Sequence, residues 1–277
     1  GVLLDSSAQL RYTPVGDNAE NDVALKVRAW DGDEGTASSG ATRNTADTTQ
    51  TGGDTAFSSQ QANVTLDVSA LNDAPTLSAG SNLMMSGIDE DSTSATLTVS
   101  QLLTNAGYAD VDSGAVQGLA LVTASGSGEW QYSSDNTTWN TVGSVDNANA
   151  LLLNADTELK YVGNGKSGGV AVLGFHAWDT TTGAHGSSVD LSNNSTKGGT
   201  TAYSPDSGAA TLIVSSVNDA PVLDTSEPPS LTNVDEDLAA PQVGETANST
   251  LVSSLTSGVS DVDGDTNLGI AITAVNT

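Results

Sequence analysis

Asn72-Asp73-Ala74-Pro75 returns as Asn218-Asp219-Ala220-Pro221, 146 residues further on. Trp30-Asp31 returns as Trp178-Asp179 after 148 residues, and Asp89-Glu90-Asp91 as Asp235-Glu236-Asp237 after 146. Asp110-Val111-Asp112 returns as Asp261-Val262-Asp263 after 151. A fixed period of this length marks a chain of like structural units, and this limits the architecture before any local pattern is read. The match divides the chain into a C-terminal part of one unit (1–73), a whole unit (74–219) and an N-terminal part of another (220–277). Gly1 falls opposite about Ala150 and Thr277 opposite about Gly126, so the flanks together hold nearly one more unit, without the stretch 130–139. Half a sandwich would leave its core face open. Either the sequence is a window on a longer array, or the C-terminal part of one molecule completes the N-terminal part of the next.

Within the units the apolar residues alternate. Val23, Leu25, Val27 and Ala29 share one face of an extended segment, with Lys26 and Arg28 on the other; this is the period of a half-buried strand. Ala171, Leu173, Phe175 and Ala177 repeat it, as do Val64, Leu66 and Val68 before the first Asn-Asp-Ala-Pro and Leu212 and Val214 before the second. Leu97 with Val99, and Ile270 with Ile272, follow the same rule, and no sustained helical stripe is evident. Residues 130–139 read as a hairpin that turns at 133–137. The Ser-, Thr-, Gly- and Asn-rich stretches 38–60 and 186–208 read as long surface loops or weak edge strands with little to bury. The expected class is all-β, with short strands in sandwich-like modules.

Charge narrows the partners. Seven Lys and Arg against 34 Asp and Glu give a formal charge of −27. Nucleic acid and anionic membrane surfaces require a basic face, so both are excluded as expected partners, and cations are favoured. There is no cysteine, so a bound divalent ion is a more available staple than a disulfide. No apolar run approaches the roughly 18 residues of a membrane helix, and direct membrane insertion is not expected.

Acidic residues recur at unit boundaries. A calcium-type ion takes six to eight oxygens, more than one short motif supplies, so several motifs must converge. Asn-Asp-Ala-Pro at a boundary, Asp-Glu-Asp after it and then Asp-Val-Asp resemble the cadherin-like repeats of large bacterial surface adhesins. Trp130-Gln131-Tyr132-Ser133 with Trp139, and Leu151-Leu152-Leu153, strengthen the resemblance, which covers essentially the whole chain. It implies immunoglobulin/cadherin-like β-sandwiches arranged end to end and stiffened at their junctions by Ca2+. It also implies a secreted, cell-surface location and a role in adhesion. The implied ligands at the first junction are Asp31, Asn72, Asp73, Asp110 and Asp112. At the second they are Asp179, Asp89, Glu90, Asp91, Asn218, Asp219, Asp261 and Asp263, with Asp265 as a further candidate. The Asp-Glu-Asp that would serve the first junction lies outside the chain, so that set is expected to be less complete.

No enzyme is expected. A nucleophile needs a base and an acid needs a partner. His176 and His185 are the only histidines; their counterparts in the first unit are Arg28 and Ala37. His176 lies on the polar parity of its strand and is expected to be exposed. Paired carboxylates are plentiful but stand at repeated boundaries, which argues against a glycosidase. Trp130, Tyr132 and Trp139 are either module core or a sugar-stacking platform, whereas Trp30 and Trp178 are expected to cover a junction or sheet edge. The expected partners are neighbouring repeats of the chain. Two further readings are a glycan- or peptide-binding module, and a fibre in which split repeats complement head to tail.

Overall fold

A computed structural model describes residues 1–16, 20–226, 228–237, 239, 249–264 and 267–275; the side chains of 20–23 are outside it. Asp265 lies outside the described residues. The described residues are mostly β-structure, with two short α-helices and a single 3-10 turn. Residues before the first Asn-Asp-Ala-Pro form one antiparallel pair, β1 (Glu20–Val27) and β2 (Ala62–Val68).

The stretch between the two Asn-Asp-Ala-Pro motifs holds most of the regular structure. It runs β3 (Asn82–Met84), β4 (Ile88–Asp89), β5 (Leu97–Thr98), α1 (Val99–Asn105), β6 (Gly118–Ser125), β7 (Glu129–Ser133) and β8 (Asn140–Thr141). It continues with β9 (Ala150–Asn154), β10 (Glu158–Val162), β11 (Gly169–Trp178), β12 (Ser188–Val189) and β13 (Tyr203–Ser215). One sheet has the order β5-β10-β7-β8; the other has β12-β9-β6-β11-β13-β3, with β4 also on β13. Beyond it come β14 (Val222–Leu223), α2 (Val252–Leu255) and β15 (Val259–Ser260), with β14 paired to β15.

Alternation decides which face is buried. Ala171, Leu173, Phe175 and Ala177 of β11 and Ala210, Leu212 and Val214 of β13 enter one apolar cluster, as the sequence pattern indicates. From the other sheet, Trp130, Leu159 and Tyr161 meet them, so the two sheets close over a common core. Trp130 donates its indole N–H to the Ser125 carbonyl (3.0 Å) and sits edge-on to Tyr161. It is core. Trp139 is half-buried under the Lys160 ammonium, 3.7 Å from its ring centre, a cation–π contact. The hairpin forms with a longer connection than expected: the last pair is Tyr132 opposite Asn140, so the turn extends past 137 to Trp139.

Four expectations are corrected. The stretch from Leu97 continues into α1, where the Thr98 hydroxyl and Gln101 side chain form a reciprocal cap. Val99, Leu102 and Leu103 then bury one side of a helix too short to show a long stripe. Ile270 and Ile272 lie outside any strand among the described residues. The stretch 186–208 is not merely a surface loop. It supplies β12 and the start of β13, and it folds over the outer face of the larger sheet, burying Trp178, Leu191, Ala202 and Tyr203 against Ala120 and Leu152. That cover also explains His176, which is 6% exposed and not on an open face. Its Nδ1 donates to the Ser204 carbonyl (2.9 Å), and burial lowers its pKa. Polar parity places a residue on the outer face of a sheet, but says nothing of what packs there.

Gly118 is required by this packing. A Cβ there would lie 2.5 Å from the Trp178 ring. Trp178 donates its indole N–H to the Thr182 carbonyl (2.7 Å), which anchors the ring beside Gly118.

By contrast β1 and β2 carry no fully buried side chain among the described residues. Leu25 and Leu66 are 48% and 46% exposed, whereas the equivalent Leu173 and Leu212 are 1% and 0% exposed. No helix among the described residues is long and apolar enough to cross a membrane.

Candidate metal centre

Two acidic clusters form, one at each Asn-Asp-Ala-Pro, with the same internal wiring. At the first, the Asp73 amide donates to Asp112 Oδ2 (2.8 Å) and the Asp112 amide to Asp110 Oδ1 (2.9 Å). At the second, the Asp219 amide donates to Asp263 Oδ2 (2.7 Å) and the Asp263 amide to Asp261 Oδ1 (2.9 Å). In each case the Asp-Val-Asp of the downstream unit grips the linker, and the first Asp orients the second. One geometry built twice from one motif is a property of the unit and not of a single loop.

The second cluster gains a member from the unit upstream. Glu90 follows β4, which lies beside the end of β13 with Ile88 opposite Val214. Its amide donates to the Ser215 carbonyl (3.0 Å), and its Oε1 accepts from the Val217 amide (2.9 Å). These bonds carry the carboxyl to the linker and bury it completely. One carboxyl oxygen each from Glu90, Asp219 and Asp263 lies within 4.8 Å of the others. Glu90 Oε2 and Asp219 Oδ2 are buried with no hydrogen-bond partner. Buried carboxylate oxygens left unpaired are costly. Burial, with the charges of Asp263, Asp91 and Asp261, pushes the Asp219 carboxyl above its ordinary range.

Asp89 and Asp91 flank Glu90 on the outside and are exposed, although Asp91 is near enough to act on Asp219. Asn218 donates to the Asp219 carbonyl within its own linker (2.9 Å).

Asp179 and Asp31 are not where the sequence reading placed them. Asp179 is buried at the first junction, where its Oδ2 accepts from Asn72 Nδ2 (2.9 Å). Asn72 Nδ2 also donates to the Thr201 carbonyl (3.1 Å), and the Ala74 amide to the Gly199 carbonyl (2.8 Å). The reason is topological. β11 ends in Trp178-Asp179 and β13 leads to Asn218-Asp219, and the two strands are antiparallel. The two motifs of one unit therefore sit at opposite ends. Asp31 follows the same rule: its amide bonds Ala56, at the end of the β1–β2 pair away from Asn72-Asp73. Its Oδ1 accepts the Asp33 amide (3.0 Å), as Asp179 Oδ1 accepts the Thr181 amide (2.8 Å).

Sequence reasoning missed three contributors at the first junction. Tyr108 donates its hydroxyl to Asp110 Oδ2 (3.3 Å), and burial together with Asp110 pushes the phenol pKa up. Thr201 contributes only a carbonyl, which no side-chain pattern reveals. Thr180 takes φ +66, a left-handed conformation that strains a β-branched residue and marks a tightly held turn. Among the described residues, only the second junction gathers three carboxylates.

The donor set at that junction is oxygen alone, which suits a hard divalent cation such as calcium. Glu90, Asp219 and Asp263 would hold the ion through the two unpartnered oxygens and the remaining carboxylate positions. Asp91 and Asp261 are close enough to add to the field.

Neither a family model nor a curated protein matches the chain. A solved endo-fucoidan hydrolase of glycoside hydrolase family 107 is similar at a TM-score of 0.29 and 10% identity, covering 82% of this chain and 32% of that one. The chain thus spans about a third of that structure's length. A similarity of this degree carries no argument about activity.

Proposed function

We propose that the chain is an extender segment of a secreted adhesin, built from immunoglobulin/cadherin-like sandwiches set end to end and braced by calcium at their junctions. The observation that carries this is Glu90. A fully buried carboxylate with a free oxygen meets Asp219 from the linker and Asp263 from the next unit. Without a cation these groups repel; with one, three consecutive parts of the chain are tied together. The acids recur at unit boundaries instead of converging on one cleft, which favours a structural role over catalysis. An extender needs defined reach and stiffness, and a bridging ion supplies both by removing a hinge.

Small-angle scattering of the chain in calcium and in chelator tests this reading. A longer, narrower distribution of intramolecular distances is expected in calcium. Superimposable profiles would refute the bracing role.

A further inference from the structure

We infer that His176 is an acid-sensitive latch: it pins the segment 197–206, whose carbonyls hold the first Asn-Asp-Ala-Pro linker, and lets go of it in mild acid. The latch lies in the whole unit, away from Glu90, and works with or without a cation there.

The frame around the latch is built twice. In the whole unit the Ala177 amide donates to Ser204 Oγ (2.9 Å), Ser204 Oγ donates to the Asp206 carbonyl (2.7 Å), and the Asp179 amide donates to the Ala202 carbonyl (3.1 Å). In the preceding unit the Ala29 amide donates to Ser58 Oγ (2.9 Å), Ser58 Oγ to the Gln60 carbonyl (2.8 Å), and the Asp31 amide to the Ala56 carbonyl (3.3 Å). The Trp178 and Trp30 indoles each donate to the carbonyl four residues on. What differs is the residue set in the frame. Arg28 Nη1 donates to the Ser58 and Ser59 carbonyls (2.9 and 2.8 Å). At the same station His176 Nδ1 serves the Ser204 and Asp206 carbonyls (2.9 and 3.2 Å). One unit fastens this crossing with a cation that never titrates, the other with an imidazole that does.

The surroundings of His176 suit only its neutral form. The ring is buried, and Nδ1 spends its proton on the two carbonyls. Nε2 has no partner among the described residues, so a second proton would place charge under the segment without an acceptor. β6 presents Ala120 opposite the ring and β13 presents Ser207. Burial has the largest effect and lowers the pKa, and the Lys197 ammonium, tied to the Leu191 carbonyl (2.6 Å), lowers it further. The Ser204 and Asp206 carbonyls and the Asp206 charge act the other way and are outweighed.

The latched segment is also the socket for the linker. The Gly198 amide donates to the Tyr203 carbonyl (2.8 Å) and closes a turn just before Ser204. Within that turn the Gly199 carbonyl accepts the Ala74 amide (2.8 Å) and the Thr201 carbonyl accepts Asn72 Nδ2 (3.1 Å). Lifting Ser204 and Asp206 off His176 therefore undoes the turn that holds the linker. A histidine whose pKa is lowered in the closed state binds its proton better in the open one. Closure keeps its full strength above the ordinary 6.5 and loses it as pH falls from there toward the lower folded value. At about pH 5 protonation favours the open state by up to about 30-fold.

Amide exchange of the full chain in chelator, corrected for its intrinsic pH dependence, tests the latch. Protection of the Asp179 amide, bonded to Ala202, and of the Ala74 amide, bonded to Gly199, should fall together between about pH 7.5 and about pH 5, by at least about threefold and at most about 30-fold. His176→Gln keeps a donor but cannot titrate, and His176→Arg copies the preceding unit; each should hold both amides level across that range. In the parent, the His176 ring signals should titrate below 6.5. Protection that does not change with pH, a fall at Asp179 that Ala74 does not share, or a fall that survives in the variants would overturn the inference. So would an imidazole that titrates at or above 6.5.

Discussion

Glu90→Gln separates the charge of the buried carboxyl from its shape. The amide keeps an oxygen to accept the Val217 amide, now 2.9 Å from Oε1. Its NH2 points toward the position of Oε2, which has no partner, and toward the carboxylates of Asp219 and Asp263. In chelator the substitution therefore removes an unpaired buried charge and adds a donor to charged acceptors. Such hydrogen bonds contribute about 1.5–3 kcal/mol. For a domain of this size each kcal/mol moves Tm by about 2–4 °C, so the chelated variant should melt at least about 3 °C above the parent. In calcium most of that advantage should disappear. A ligand at 100 times its Kd stabilises by about 2.7 kcal/mol, or about 5–10 °C. Losing one anionic ligand weakens the site on the order of 100-fold, so at the same free calcium the variant should gain only about 0.4 kcal/mol, or about 1 °C. Differential scanning calorimetry in both buffers reads all four values. If Glu90→Gln lowers Tm in chelator, or keeps the parent's calcium response, then the carboxyl is an ordinary structural acceptor and the reasoning fails.

Three further outcomes are expected. Asn72→Ala should release the first linker, at a cost of about 1–2 kcal/mol from its bonds to Asp179 and Thr201; amide exchange at Ala74 and Thr76 should accelerate equally in calcium and chelator, and unchanged exchange would count against the clasp. Leu102→Ala empties a fully buried site under α1 and should cost about 2–5 kcal/mol in urea unfolding, whereas a loss below about 1 kcal/mol would mean the helix is not part of the core. The Asp135 carboxylate accepts the Thr138 and Thr137 amides and the Ser133 hydroxyl, which hold it well below its usual 3.8. A depressed acid stabilises fully above the unfolded value and loses that contribution as pH falls through the folded one. The Thr138 amide resonance should therefore stay put down to about pH 4 and move only in stronger acid; a midpoint in the ordinary carboxylate range would contradict the turn geometry.

The strands of the whole unit were legible because their apolar residues alternate and because the repeat showed each pattern twice. Leu173, Phe175, Leu212 and Val214 all point where the period-2 pattern puts them. α1 was not, since Val99, Leu102 and Leu103 occupy fewer than two turns and begin in strand parity. His176 and Trp178 were misjudged because parity assigns a face, and only the tertiary fold decides that 186–208 covers it. The site was legible as composition but not as grouping. The Asp-Val-Asp and Asn-Asp spacings named acids that the fold brings together at each linker. Assigning Asp179 and Asp31 to an end of their units required knowing that the Trp-Asp strand and the Asn-Asp strand run in opposite directions. That Glu90, and neither Asp89 nor Asp91, is the buried acid depends on the bonds of one residue to Ser215 and Val217. Nothing in a run of three acids announces which one turns inward.

The most direct measurement is a crystal structure of the chain grown in calcium, with anomalous data to identify the ion. One cation bound by Glu90, Asp219 and Asp263 is expected, with metal–oxygen distances of about 2.3–2.6 Å and backbone or water oxygens completing the shell. Density for water alone among those three carboxylates, in crystals that hold calcium elsewhere, would contradict it.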